Sequence, residues 1–222
     1  MRVRLAAVVL LFATATAGAA DQVVIEDWSK YPVGTKGIPG DWKPQQWGSP
    51  KYDFSVVSDD AHKVLHMRSA NDGSTISRDI TGMVNLKQTP VLEWSWKVTV
   101  LPTGANSCHK ATDDQAAQLF IVWPRFPKEV RSRIIGYVWD STAPVGTTCK
   151  SEKTGTVTYV VVRSGRADLG KWFTERRNVV DDFKKIYGED PDTPAALSVA
   201  VDSNDTNSTS ESFIGTIQFR RP

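Results

Sequence analysis

The chain has 222 residues, with 27 Lys and Arg against 25 Asp and Glu, for a net charge of +2. That near-balance argues against a nucleic-acid binder, because Arg176-Arg177 and Lys184-Lys185 are too short to track a phosphate backbone. Two cysteines outside any C-x-x-C and three scattered histidines argue against a zinc centre.

Residues 1–20 read as a secretory signal. Arg2 and Arg4 give a positive start, and 5–15 is an apolar run shorter than the ~20 residues a spanning helix needs. Ala17-Gly18-Ala19 supplies a small-residue cleavage site. The exported chain is expected to start near Ala20 or Asp21, to form one domain over 21–222, and to reside in the periplasm or outside the cell. No later segment is apolar enough for a transmembrane span.

A short strand at 22–27 is followed by a turn-rich loop at 31–40, and Trp42 and Trp47 stand in a polar segment. Strands are predicted at 52–58 and 63–69, where Leu65 and Met67 alternate with His66 and Arg68. Asn71-Asp72-Gly73-Ser74 predicts a hairpin turn, with 75–80 returning.

The stretch 90–144 reads as three successive strands, 91–100, 117–123 and 133–140. In the first, Leu92, Trp94, Trp96 and Val98 share one face, with Glu93, Ser95 and Lys97 on the other. If the three run up, down and up, the loops holding Cys108 and Cys149 leave the same end of the sheet. In an exported chain a disulfide between them is expected, worth ~3–4 kcal/mol.

Both faces of 156–163 are apolar, which predicts an interior strand. The one convincing helix is 178–187, with Asn178 as its cap, Asp181 and Asp182 early, Lys184 and Lys185 late, and Gly188 as its stop. A strand at 196–202, a polar loop at 202–211 and a closing strand at 213–219 complete the chain. About ten strands and one short helix define an all-β fold, a jelly-roll-like antiparallel β-sandwich.

Three constellations are candidates for function. Asp202, Asn204 and Asp205, with Thr206 and Asn207, crowd the hard oxygen ligands that calcium takes; an exposed Asx-rich turn is the alternative. Among eight tryptophans, Trp94 and Trp96 are read as core. Trp123 and Trp139 end their strands and, with Tyr137, are candidates for a rim where rings stack on sugar faces. Asp114, Gln118 and Arg163 would bond the hydroxyls. Asp114 and Glu175 are the carboxylates an enzymatic reading would use.

The ordered motifs Leu92-Glu-Trp-Ser-Trp-Lys-Val98, Asp114-Gln-Ala-Ala-Gln-Leu-Phe120, Tyr137-Val-Trp139, Val162-Arg-Ser-Gly165, Trp172-Phe-Thr-Glu-Arg-Arg-Asn-Val179 and Val201-Asp-Ser-Asn-Asp-Thr206 cover nearly the whole exported chain. In them the chain resembles the bacterial secreted family catalogued as domain of unknown function three-zero-four-seven. That resemblance implies no established activity. It implies a fold similar to carbohydrate-binding and galactose-binding-like jelly rolls, whose first strand, similar to Val24-Ile-Glu-Asp-Trp28, carries an acidic residue that helps hold a structural calcium. The reading favoured is a secreted envelope protein that binds a glycan or polysaccharide without catalysis and requires no cofactor beyond such a calcium. A glycan hydrolase or lyase, and a structural or protein-interaction domain, are the alternatives.

Overall fold

The computed structural model describes residues 21–222, so the expected signal segment lies outside the described residues. In chain order the elements are β1 (Gln22–Glu26), β2 (Lys43–Pro44), β3 (Asp53–Asp59), β4 (His62–Ala70), β5 (Gly73–Asp79), β6 (Val91–Val100), β7 (Ala117–Trp123) and the single turn α1 (Lys128–Arg131). They continue with β8 (Arg133–Asp140), β9 (Thr148–Lys150), β10 (Val157–Ser164), β11 (Phe173–Asn178), α2 (Val179–Tyr187), β12 (Ala196–Asp202) and β13 (Thr209–Arg220). Two sheets form a β-sandwich. The first has the order β11-β6-β13-β4-β3, with β1 also on β13; the second has the order β2-β5-β12-β7-β8-β10-β9. Pairing is antiparallel except for β8 with β10, which run parallel.

The connections correct two sequence-based expectations. The Asn71-Asp72-Gly73 turn is not a hairpin within one sheet: β4 lies in the first sheet and β5 in the second. Likewise β6 lies in the first sheet, while β7 and β8 pair in the second. The connections β4–β5, β6–β7 and β12–β13 each cross between the layers, so that β4-β13-β6 in one sheet matches β5-β12-β7 in the other. This nested wrap is the jelly-roll pattern. Cys108 and Cys149 are bonded, with an S–S distance of 2.04 Å. The bond ties the loop between β6 and β7 to the edge strand β9.

The crossing explains where the indoles go. Leu92, Trp94, Trp96 and Val98 alternate onto the inner face of β6 and are fully buried. Opposite them, β8 turns Tyr137 and Trp139 inward. Trp94 stacks on Tyr137 with centroids 5.2 Å apart, and Trp96 meets Trp139 at 6.2 Å. Two layers that pack about 10 Å apart leave room for just such rings.

A second, smaller apolar cluster lies on the outer face of the second sheet, where Val138, Val157, Tyr159 and Val161 are buried with Phe120 packed against them. Gly136 permits it: a Cβ there would stand 2.7 Å from the Phe120 ring. Both faces of β10 are therefore apolar, as its sequence predicts, and β10 is interior, between β8 and β9.

At the first strand, the buried Glu26 carboxylate accepts hydrogen bonds from Arg78 (2.7 Å) and the Trp42 indole (3.0 Å). A guanidinium neutralises this acid at the position where the resemblance implies an acid holding calcium.

Candidate binding groove

The edge strand β11 faces β10 through the Arg163–Glu175 pair, and α2, continuing from β11, lines a cavity with Val160, Val161 and Val162 of β10. The local sequence dictates that helix. The Asn178 side chain accepts from the backbone N–H groups of Val180 and Asp181, and Gly188 ends the helix at φ 73°. Val179 and Phe183 anchor it in the core, with Phe183 4.8 Å from Trp123. Ile186 and Tyr187 cover only part of the sheet. The gap that remains is two adjoining cavities of about 250 and about 410 Å³ that share Thr148, Lys185 and Ile186. Together they form a groove floored by β10 and walled by β9 and α2.

Two polar networks close its inner end. The Tyr137 hydroxyl donates to Asp182 at 2.7 Å, and Arg177 donates to the same carboxylate at 2.9 and 2.5 Å. Burial, then the charge of Asp182, holds the Tyr137 phenol well above its usual range. The hydrogen bonds to Asp182 in turn raise Arg177. In the second network, Glu175 accepts from Arg163 and from the Trp96 indole at 3.2 Å. Arg163 lies 3.3 Å over the Phe173 ring and 5.7 Å from that of Trp139. Both carboxylates of the groove are engaged by guanidinium groups.

The outer part of the groove carries two lysines whose side chains make no ion pair among the described residues, and an arginine with one long ion pair. Lys150 projects from β9 and Lys185 from α2; both are exposed and line the groove. Arg133 lies over the Tyr187 ring at 4.6 Å. Its buried Nε has no hydrogen-bond partner, and Glu189 stands 3.7 Å away.

The residues predicted from sequence divide among three places. Trp123, Tyr137 and Trp139 are not rim residues: they are 1%, 0% and 0% exposed. The reason is the inward alternation of β7 and β8 onto the Trp94–Trp96 layer. The Trp123 indole spends its N–H on the Asp192 carbonyl. Arg163 and Glu175 do reach the groove region, but as partners of each other. Asp114 and Gln118 belong elsewhere. Asp114 is fully buried and accepts from the N–H groups of Asp205 (3.0 Å) and Thr206 (2.6 Å) and from the Thr206 hydroxyl (2.6 Å). Gln118 is buried on the outer face of β7. Asp114 and Glu175 share no cleft.

Of the expected calcium residues, Asp202 and Asn204 bring their side-chain oxygens together beside Gly73. Asp205 pairs with Lys153, Asn204 is exposed, and Asp202 lies against Asp114 and Gly73. Among the described residues no three of His, Cys, Asp and Glu stand together as a chelating group. Burial first, then the charge of Asp114, pushes Asp202 up to about 8. The groove cations Arg133, Lys150 and Lys185 escaped the sequence reading. The signal for Lys150 was its alternation with Thr148 around Cys149, which puts both on one side of β9.

The chain belongs to the family described as "Protein of unknown function (DUF3047)", whose model matches residues 40–218. Among curated proteins none matches it. Among solved structures it is similar to a family 11 carbohydrate-binding module from Clostridium thermocellum, in complex with a β-1,3-1,4-mixed-linked tetrasaccharide, at 8% identity and TM-score 0.46 over 92% of this chain and 98% of that one. It is also similar to the family 30 carbohydrate-binding module of the Clostridium thermocellum cellulosomal cellulase Cel9D-Cel44B, at 13% identity and TM-score 0.46 over 90% of this chain and 97% of that one. At these values the likeness carries no argument about ligand or activity. No helix among the described residues is long and apolar enough to cross a membrane.

Proposed function

We propose that this chain is a non-catalytic glycan-binding domain exported to the cell envelope, and that the ligand lies in the groove between β9–β10 and α2. The observation that carries the reading is the unfilled space between β9–β10 and α2. It forms a trench with a rigid strand floor, hydroxyls from Thr148 and Thr158, and apolar patches from Val145 and Ile186. A mix of apolar surface and convergent polar groups suits a sugar chain, which has both C–H faces and hydroxyls. The two carboxylates in the trench, Glu175 and Asp182, are held by Arg163 and Arg177, which leaves binding, rather than acid–base work, as the favoured role.

A glycan array probed with the purified chain tests the proposal, together with Thr148→Trp, which fills the trench from an exposed strand position. Binding by the parent chain and its loss in the variant, at an unchanged melting temperature, is the expected result. Silence across neutral and acidic glycans, or full binding by Thr148→Trp, overturns it.

A further inference from the structure

We infer that the groove selects an acidic polysaccharide, one whose sugars carry carboxylates; this rests on the glycan-binding reading above and narrows it. Five cations line the two cavities, Arg133, Lys150, Arg176, Arg177 and Lys185, against the two carboxylates Glu175 and Asp182. The excess is larger than the +2 of the entire chain. Pairing sharpens the asymmetry. Asp182 is taken by Arg177, Glu175 by Arg163, and Arg176 reaches away to Glu93. Lys150 and Lys185 remain with no ion-pair partner among the described residues, and Arg133 has only the long pair to Glu189 at 3.7 Å.

The neighbouring lysine shows that this is not a general feature of α2. Lys184 pairs with Asp190 at 2.7 Å, whereas Lys185 faces the trench alone. Arg133 is the one of the three that packs on an aromatic ring. Its guanidinium lies 4.6 Å from the Tyr187 ring centre with its Nε turned inward toward Glu189, and its two terminal nitrogens are the fork through which arginine grips a carboxylate. A neutral sugar would displace water from these three cations and return only weak hydrogen bonds. A uronate returns charge-assisted ones. The trench offers no free aromatic ring for stacking nucleobases, since Tyr187 is already covered by Arg133. A polysaccharide is therefore favoured over a nucleic acid.

The test is calorimetric titration of the purified chain with three probes: an oligogalacturonate, a neutral cello-oligosaccharide of equal length, and a single-stranded oligonucleotide of equal charge. The oligogalacturonate is expected to bind at least about tenfold more tightly than either other probe, and its affinity should fall with added salt. Lys150→Glu with Lys185→Glu should lose at least about tenfold with an unchanged melting temperature. Arg133→Lys, which keeps the charge but not the fork, should give an intermediate loss. Equal binding of the neutral probe, unaffected by the charge reversals, overturns the acidic selection and leaves glycan binding standing. No binding of either sugar removes both. An oligonucleotide that binds as tightly as the oligogalacturonate overturns the assignment to a polysaccharide.

Discussion

Two polar regions flank the last strands of the second sheet and are built from the same residue types. In the loop between β12 and β13, Asp114, Asp202 and Asp205 meet Lys153 and Thr206. In the groove, Asp182 and Glu175 meet arginines, lysines and Tyr137. The loop region is closed: Asp114 is wholly buried and takes three donors from the loop. The groove is open, and cations remain over after its carboxylates are satisfied. The difference teaches that composition does not separate a structural cluster from a binding surface. The unspent donors and acceptors do. The Cys108–Cys149 bond links the two regions, since Cys108 shares its loop with Asp114 and Cys149 sits on β9, the groove wall.

The sharpest way to probe the closed region is pH, where the largest effect is expected. Asp202 has an ordinary value of 3.8 and is pushed up to about 8 in the folded state. Between those values the native chain holds a proton that the unfolded chain has released. The stability tied to this group is therefore complete below the lower value and is lost as pH rises through the upper one. Burial raises Asp113 too, in the same direction. Urea midpoints should thus fall from pH 5 to pH 9, and Asp202→Asn should flatten most of that slope. An equal slope in the variant would move the proton elsewhere. If added calcium flattened the slope in the parent chain, the loop would be a metal site after all.

The link between the regions comes next. Replacing Cys108 and Cys149 with Ser opens a loop of 41 residues' separation and should cost about 3–4 kcal/mol. Because β9 is only three residues long, glycan affinity should drop with it. Unchanged affinity at reduced stability would show that pairing with β10 alone keeps the groove wall in place. The smallest effect is expected inside the open region. Tyr137→Phe removes one hydrogen bond to a buried carboxylate and should destabilise by about 1.5–3 kcal/mol. The Tyr137 phenol is held well above its usual range, so this loss should be constant from pH 5 to pH 9 in thermal melts. A loss below about 0.5 kcal/mol would mean that Arg177 alone satisfies Asp182.

Ten of the strands, the helix at 178–187 with its Asn178 cap and Gly188 stop, the interior character of β10 and the cysteine pair were legible, whereas the edge strands β2, β9 and β11 were not. Each legible feature rests on local periodicity, capping chemistry or the limited partners of a residue type. The layer each strand joins was not legible. Asn71-Asp72-Gly73 has the residues of a hairpin, yet its backbone turns a corner between sheets, because Leu65 and Met67 on β4 and Ile76 on β5 point into one core.

The misplaced aromatics share that cause. Trp139 and Trp123 end their strands, and a strand end reads as a rim when the opposite layer is unknown. What the chain determined by itself was the alternation that makes two half-apolar sheets, since side-chain direction in a strand is a local property. The packing of the sheets decided which rings are covered and which cations face water, because both depend on what lies about 10 Å across the sandwich and not on sequence neighbours.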